Sequence, residues 1–181
     1  GGEVDPGSEA TGAGEGADPA GLQHNMNRLV TNTVATTHVL EPHPALFLDG
    51  VRLDELLDAA RPDYHLLGLI PALLDFLSDP KERELVWRRI RPPVGESAIA
   101  PVLICPDDCD LWCSVVVAEV VADEAVIHWM RLGLDMTKPE PGEMPDVVGR
   151  TVEWFDGLGP YRFPRAEYER SLAAFALCPG W

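Results

Sequence analysis

Basic residues are scarce in this chain: 14 lysines and arginines stand against 30 aspartates and glutamates, for a formal charge of −16. The isoelectric point is correspondingly low, near 4.5. So negative a chain repels phosphate backbones and anionic lipid, so neither nucleic acid nor membrane is an expected partner. Long apolar runs are missing too. No stretch approaches the roughly 20 residues of a membrane-spanning helix, and no basic start leads into an apolar run as in a secretory signal. The opening Gly1-Gly2 has no methionine and is read as the result of processing or cropping, which leaves a removed leader open. The expected location is cytoplasmic, with reduced thiols. Familiar catalytic signatures are also absent: there is no GxSxG elbow, HExxH pair, Walker loop or kinase set. That removes the motif-bearing enzyme classes and leaves only an active site assembled from scattered residues. No internal repeat is visible.

What is present supports one globular domain. The chain has 181 residues, 46% of them hydrophobic, enough for a sizeable core. Residues 1–21 are almost entirely Gly, Ala, Glu, Asp, Pro, Ser and Thr and read as a disordered acidic tail. Residues 22–44 read as an extended arm that adds an edge strand or docks on a neighbour. Residues 45–181 form the expected α+β domain, a mainly antiparallel central sheet packed by several helices. Residues 41–181 alone carry 25 acidic and 13 basic residues, a net of −12, so the tail is not the main source of charge.

The centre of that sheet is expected in residues 100–133, which hold three of the four cysteines and two of the five tryptophans. Pro101 to Cys105 is a short apolar run opened by proline, suited to a buried strand. The valine-rich run 114–122 suits a pleated surface, and 125–132 follows after Asp123-Glu124, a gap that fits a hairpin. The expected register sets Val121 against Val126, Glu119 against His128 and Ala118 against Trp129. The smallest side chain then lies opposite the largest.

Helix signals flank this centre. Ala45 to Gly50 reads as a strand and turn, and residues 51–60 as a helix with Leu53, Leu56, Leu57 and Ala60 on one face. A second helix is expected over 70–77, burying Ile70, Leu73, Leu74 and Leu77. The third start signal is the clearest: Asp79 caps, Pro80 takes the first position and Glu82 completes a capping box. That helix presents Val86, Trp87 and Ile90 and halts at Pro92-Pro93. Residues 151–155 read as a strand. Pro164 opens a last helix with Tyr168, Leu172, Phe175 and Ala176 facing inward.

Four constellations carry chemistry. Cys105, Cys109 and Cys113 are spaced as possible thiolate ligands. Structural zinc, however, favours pairs two to four apart and four ligands, with His128 or Cys178 as the fourth here. Separate unreactive cysteines are the stronger expectation, and a Cys109–Cys113 disulfide is a third reading. No cofactor is expected, zinc being the alternative. Asp107, Asp108 and Asp110 crowd one turn, where calcium competes with the ordinary preference of turns for aspartate. Glu119 beside His128 is a general acid–base pair or, more simply, a cross-strand ion pair. Trp154, Phe155, Tyr161 and Phe163 form either a recognition surface or a plug at the sheet–helix junction. Asp107, Asp108, Asp110, Trp154 and Tyr161 are therefore the candidate interaction residues.

The ordered segments LFLDG, LIPALLDFL, VLICPDDCD, VVVAEV, VIHWMRLGLD and VEWFDGLGP resemble bacterial acidic proteins similar in style to the immunity proteins of polymorphic toxin systems. The resemblance spans residues 46–175 and brings no catalytic residues. It implies an acidic interaction module that neutralises a basic toxin or nuclease, with a basic protein as partner. The alternatives are a small enzyme or metal protein using the cysteine-rich turn with Glu119 and His128, and a structural component of an assembly docked through residues 23–40.

Overall fold

The structure, a computed structural model, describes residues 1–2, 26–143 and 145–176. The tail expected over 1–21 and Cys178 thus fall outside the described residues, apart from Gly1 and Gly2. The fold is α+β, with two antiparallel sheets and three α-helices among the described residues. Among these residues no helix is long and apolar enough to cross a membrane.

The smaller sheet joins β1 (Leu29–Val34), β2 (His43–Leu48) and β3 (Val51–Arg52) in that order. Asp49 and Gly50 both take left-handed backbone, at φ 51° and 89°. This is the two-residue turn that matches the twist of a hairpin, and Gly50 adopts it without strain. Asp49 also ties down the entering chain, its carboxylate accepting from the Arg28 amide and the Asn27 side chain at 2.7 Å each. The segment read as an arm therefore contributes a paired strand from Leu29 to Val34. Its further docking is on its own chain: the Ser171 hydroxyl donates to the Leu29 carbonyl at 2.6 Å. The Thr31 hydroxyl in turn donates to the Ser171 carbonyl at 2.7 Å.

The larger sheet runs β4 (Ile70–Pro71), β5 (Ser97–Ile104), β6 (Val115–Ala122), β7 (Val126–Asp135) and β8 (Val152–Trp154). The ten-residue β7 is long enough that its outer edge also pairs with β9 (Tyr161–Pro164). Pro101 lies inside β5 rather than opening it. It sits where the ladder with β6 is interrupted by a bulge, a place where a residue without an N–H is tolerated.

The β6–β7 register differs from expectation. Val120 faces Trp129, Val121 faces His128 and Ala122 faces Ile127, while the Asp123 amide bonds the Val126 carbonyl at 2.9 Å. The hairpin therefore turns over Glu124-Ala125, and the pairing slips by two residues. A slip of two leaves every side chain on its expected face, so alternation alone could not detect it. Beyond it, Glu119 alone opposes both Met130 and Arg131, a bulge that restores pairing at Ala118 and Leu132. Ala118 and Trp129 share a face but are not opposite, and Val120 is the residue across from the indole.

On that shared face Ala118, Val120, Ala122, Ile127, Trp129 and Leu132 are all buried, and Trp129 is linked to two of the helices. The helices are α1 (Leu53–Ala60), α2 (Pro80–Ile90) and α3 (Arg165–Ala176). Trp129 Nε1–H donates to the Tyr168 hydroxyl at 3.2 Å, and that hydroxyl donates to the Ile90 carbonyl at 2.9 Å. One buried chain of polar groups thus links β7, α3 and α2. Phe163 packs edge-on to Trp129 at 5.3 Å. Burial raises the Tyr168 phenol far above its ordinary value.

Three helix expectations are corrected. Residues 51 and 52 belong to β3, so α1 starts at Leu53. Residues 70–77 form no helix. Ile70 and Pro71 pair with β5, and the chain then turns, with Leu74 N bonding Pro71 O at 3.2 Å and Leu77 N bonding Leu74 O at 3.5 Å. Ile70, Leu73, Leu74 and Leu77 are nonetheless all buried, because successive turns satisfy the same apolar spacing. In α3, Tyr168, Leu172 and Phe175 face inward while Ala176 is exposed.

Candidate functional site

The connection from β5 to β6, residues 105–114, gathers the largest share of unused chemistry. It is pinned at its middle. Leu111 is buried, and its amide reaches the Glu82 carboxylate at 3.4 Å. Glu82 was expected to close a capping box on α2. Asp79 caps alone, its carboxylate accepting from the Lys81 amide at 2.8 Å, and Glu82 turns inward to hold the loop. Burial raises the Glu82 carboxyl above its ordinary range; the Leu111 amide opposes that rise, and Asp110 and Asp79 add to it.

Asp110 builds the loop itself. Its Oδ1 accepts from the Trp112 amide at 2.9 Å and the Cys113 amide at 3.3 Å, the self-bonding for which turns select aspartate. Cys109 takes left-handed backbone at φ 52°. Its thiol donates to the Pro106 carbonyl at 3.0 Å and is pushed up in pKa, first by burial and then by Cys105 and the nearby aspartates. Asp107, Asp108, Trp112 and Cys113 face solvent. Trp112 is 54% exposed, unusual for the largest apolar side chain.

Cys105, Cys109 and Cys113 are free thiols, so the Cys109–Cys113 disulfide is not formed. Nor do the three cysteines converge. The donor atoms that lie within 4.8 Å of one another are those of Cys105, Asp108 and Cys113. Hydrogen bonding to Asp108, then burial, pushes the Cys113 thiol up to about 11. The three aspartates likewise form no common cage, since Asp110 is committed to loop amides.

The other expected constellations are dispersed. Glu119 bonds Arg131, Oε2 to Nε at 2.7 Å, and His128 Nε2 lies 2.8 Å from Asp123 Oδ2. The Glu119–His128 acid–base pair is therefore absent: the hairpin slip brings Val121 opposite His128, and the bulge brings Arg131 to Glu119. Trp154 and Tyr161 stand on the far side of β7 from the loop, and both are half-buried. The Arg131 guanidinium covers the Trp154 ring at 4.0 Å. Gly133 lets this indole approach: a Cβ there would meet the Glu153 carbonyl at 2.6 Å and the Trp154 ring at 3.0 Å. Phe155 and Phe163 are buried, so this aromatic region is largely junction packing.

Two surfaces escaped the sequence reading. Arg89 lines an open pocket, but its guanidinium donates to the carbonyls of Ile99, Asp146 and Val148 and is structural. Between α2 and α3 an open groove alternates Arg88, Arg91 and Arg165 with Glu84 and Glu169 around Trp87, a mixed-charge surface without a selective cradle. The exposure of Trp112 was also not foreseen. Its neighbours in sequence are as apolar and acidic as those of Trp154, and only tertiary packing separates the two.

Comparison of the chain with protein-family models, curated proteins and solved structures found no match.

Proposed function

We propose that this chain is an acidic protein-interaction module whose contact surface is the 106–113 loop and whose partner is a basic protein. The observation that carries the reading is that Trp112, Asp107 and Asp108 are all exposed on one loop, which is fixed from beneath by Leu111 and Glu82. Among the described residues, no lysine or arginine forms an ion pair with Asp107, Asp108 or Asp110. Tryptophan is among the residues enriched at binding hot spots. The surrounding potential steers an oppositely charged protein and makes association salt-sensitive. A basic toxin or nuclease held by such a module, in the manner of an immunity protein, is the specific form we propose.

The test is capture from native lysate on the immobilised full chain, at low and high salt, beside a Trp112→Ala variant. The expected result is a basic protein retained at low salt, released by high salt and lost with the variant. Retention that ignores both salt and Trp112 would contradict the reading.

A further inference from the structure

We propose that Cys105, Asp108 and Cys113 bind one zinc-class divalent ion through two thiolates and a carboxylate. This does not depend on the interaction reading. The three donor atoms already lie within 4.8 Å of one another. Tetrahedral coordination at ordinary zinc–sulfur and zinc–oxygen lengths sets ligand atoms roughly 3.5–3.8 Å apart. Closing that difference is a matter of side-chain rotation.

The backbone supplies the frame. Ile104 and Val115 are the last residues paired between β5 and β6; Cys105 follows β5 directly and Cys113 precedes β6 by one residue, Ser114. Asp108 lies on the loop between them, and that loop is held by the Asp110 carboxylate and the Leu111 amide. The two cysteines thus flank the paired strand ends and the third donor sits on a hydrogen-bonded loop between them, which lowers the chain entropy lost on binding.

Donor chemistry selects the ion. Thiolates favour a borderline-soft metal, whereas calcium and magnesium require a full oxygen shell. Cys109 is not a ligand, because its left-handed backbone directs its thiol to the Pro106 carbonyl. Three protein donors leave the fourth coordination position open toward solvent, since Asp108 and Cys113 are exposed. Sites with one exchangeable position are of this kind.

The experiment uses the full chain, reduced and stripped with chelator, titrated with Co²⁺ alone and then with Zn²⁺. One Co²⁺ per chain is expected, with thiolate-to-metal charge-transfer absorption that an equivalent of Zn²⁺ bleaches. Cys113→Ser is expected to abolish the signal and Asp108→Asn to weaken Co²⁺ at least tenfold. Cys109→Ser should keep wild-type affinity, with thermal melts reporting that each variant is folded. Three results would overturn the proposal: no stoichiometric binding, binding that survives Cys113→Ser, or binding lost in Cys109→Ser while Asp108→Asn retains it.

Discussion

The two connections at opposite ends of β6 contain similar acids and use them differently. At the β6–β7 hairpin, the Asp123 carboxylate engages His128, and the Asp123 and Glu124 carbonyls accept from the Arg165 guanidinium. A cation of the chain itself is thus packed against that turn. At the β5–β6 loop, Asp110 serves the backbone, while Asp107 and Asp108 meet no lysine or arginine among the described residues, and Trp112 of the same loop is exposed. Local acid content is thus a poor guide to function; what distinguishes the two ends is that an arginine packs on the hairpin turn, whereas no lysine or arginine among the described residues pairs with the loop acids. A hairpin closed by its own arginine is structural. A loop whose acids are left open is available to an outside cation, whether a protein side chain or a metal.

The contrast can be broken most forcefully at Leu111. Its side chain is buried, and Leu111→Ala should cost about 2–4 kcal/mol of unfolding free energy, the usual range for emptying a leucine site. A denaturant titration showing less than ~0.5 kcal/mol would mean the loop is not anchored there. Trp112→Ala is expected to do the reverse: stability within ~0.5 kcal/mol of wild type, and partner binding weakened by about 2 kcal/mol or more. At the hairpin, Arg165→Ala should lower stability by roughly 1 kcal/mol through lost hydrogen bonds to the turn carbonyls, without affecting partner capture.

Glu82 sharpens the comparison through pH. A carboxyl whose pKa rises on folding supports the fold while protonated. That contribution is complete below the ordinary value of 4.5 and is lost as pH climbs through the raised folded value. Glu82→Gln keeps an acceptor for the Leu111 amide but cannot ionise. Wild type should therefore lose stability relative to this variant as pH rises above the ordinary 4.5, as read from denaturant midpoints across pH. A gain over the same interval would reverse the sign and contradict buried Glu82 as the cause.

Side-chain period was the legible part of the fold. The faces of β6 and β7 and the buried set Ile70, Leu73, Leu74 and Leu77 follow from apolar spacing, which reports burial directly. Backbone state and register were not legible, because different structures satisfy the same spacing. A hairpin slipped by two keeps its faces, and consecutive turns bury the same leucines as a helix would. The candidate site was legible as a location, residues 105–113, but not as a donor set. Which thiol points outward depends on the left-handed Cys109 and on Asp110 bonding its own loop. Which tryptophan is free depends on Arg131, which covers Trp154 from another strand. The inward turn of Glu82 follows from Leu111, distant in sequence, and no local pattern announces it.

The most direct measurement compares two variants that each remove two charges from a chain of −16. One is Asp107→Asn with Asp108→Asn; the other is Asp123→Asn with Glu124→Gln. Bulk electrostatics weakens both alike, whereas a defined acidic site weakens only the first. Partner capture at low salt is expected to be lost in the loop variant and retained in the hairpin variant. Equal loss in both would show that total charge, not the β5–β6 loop, is what the partner meets.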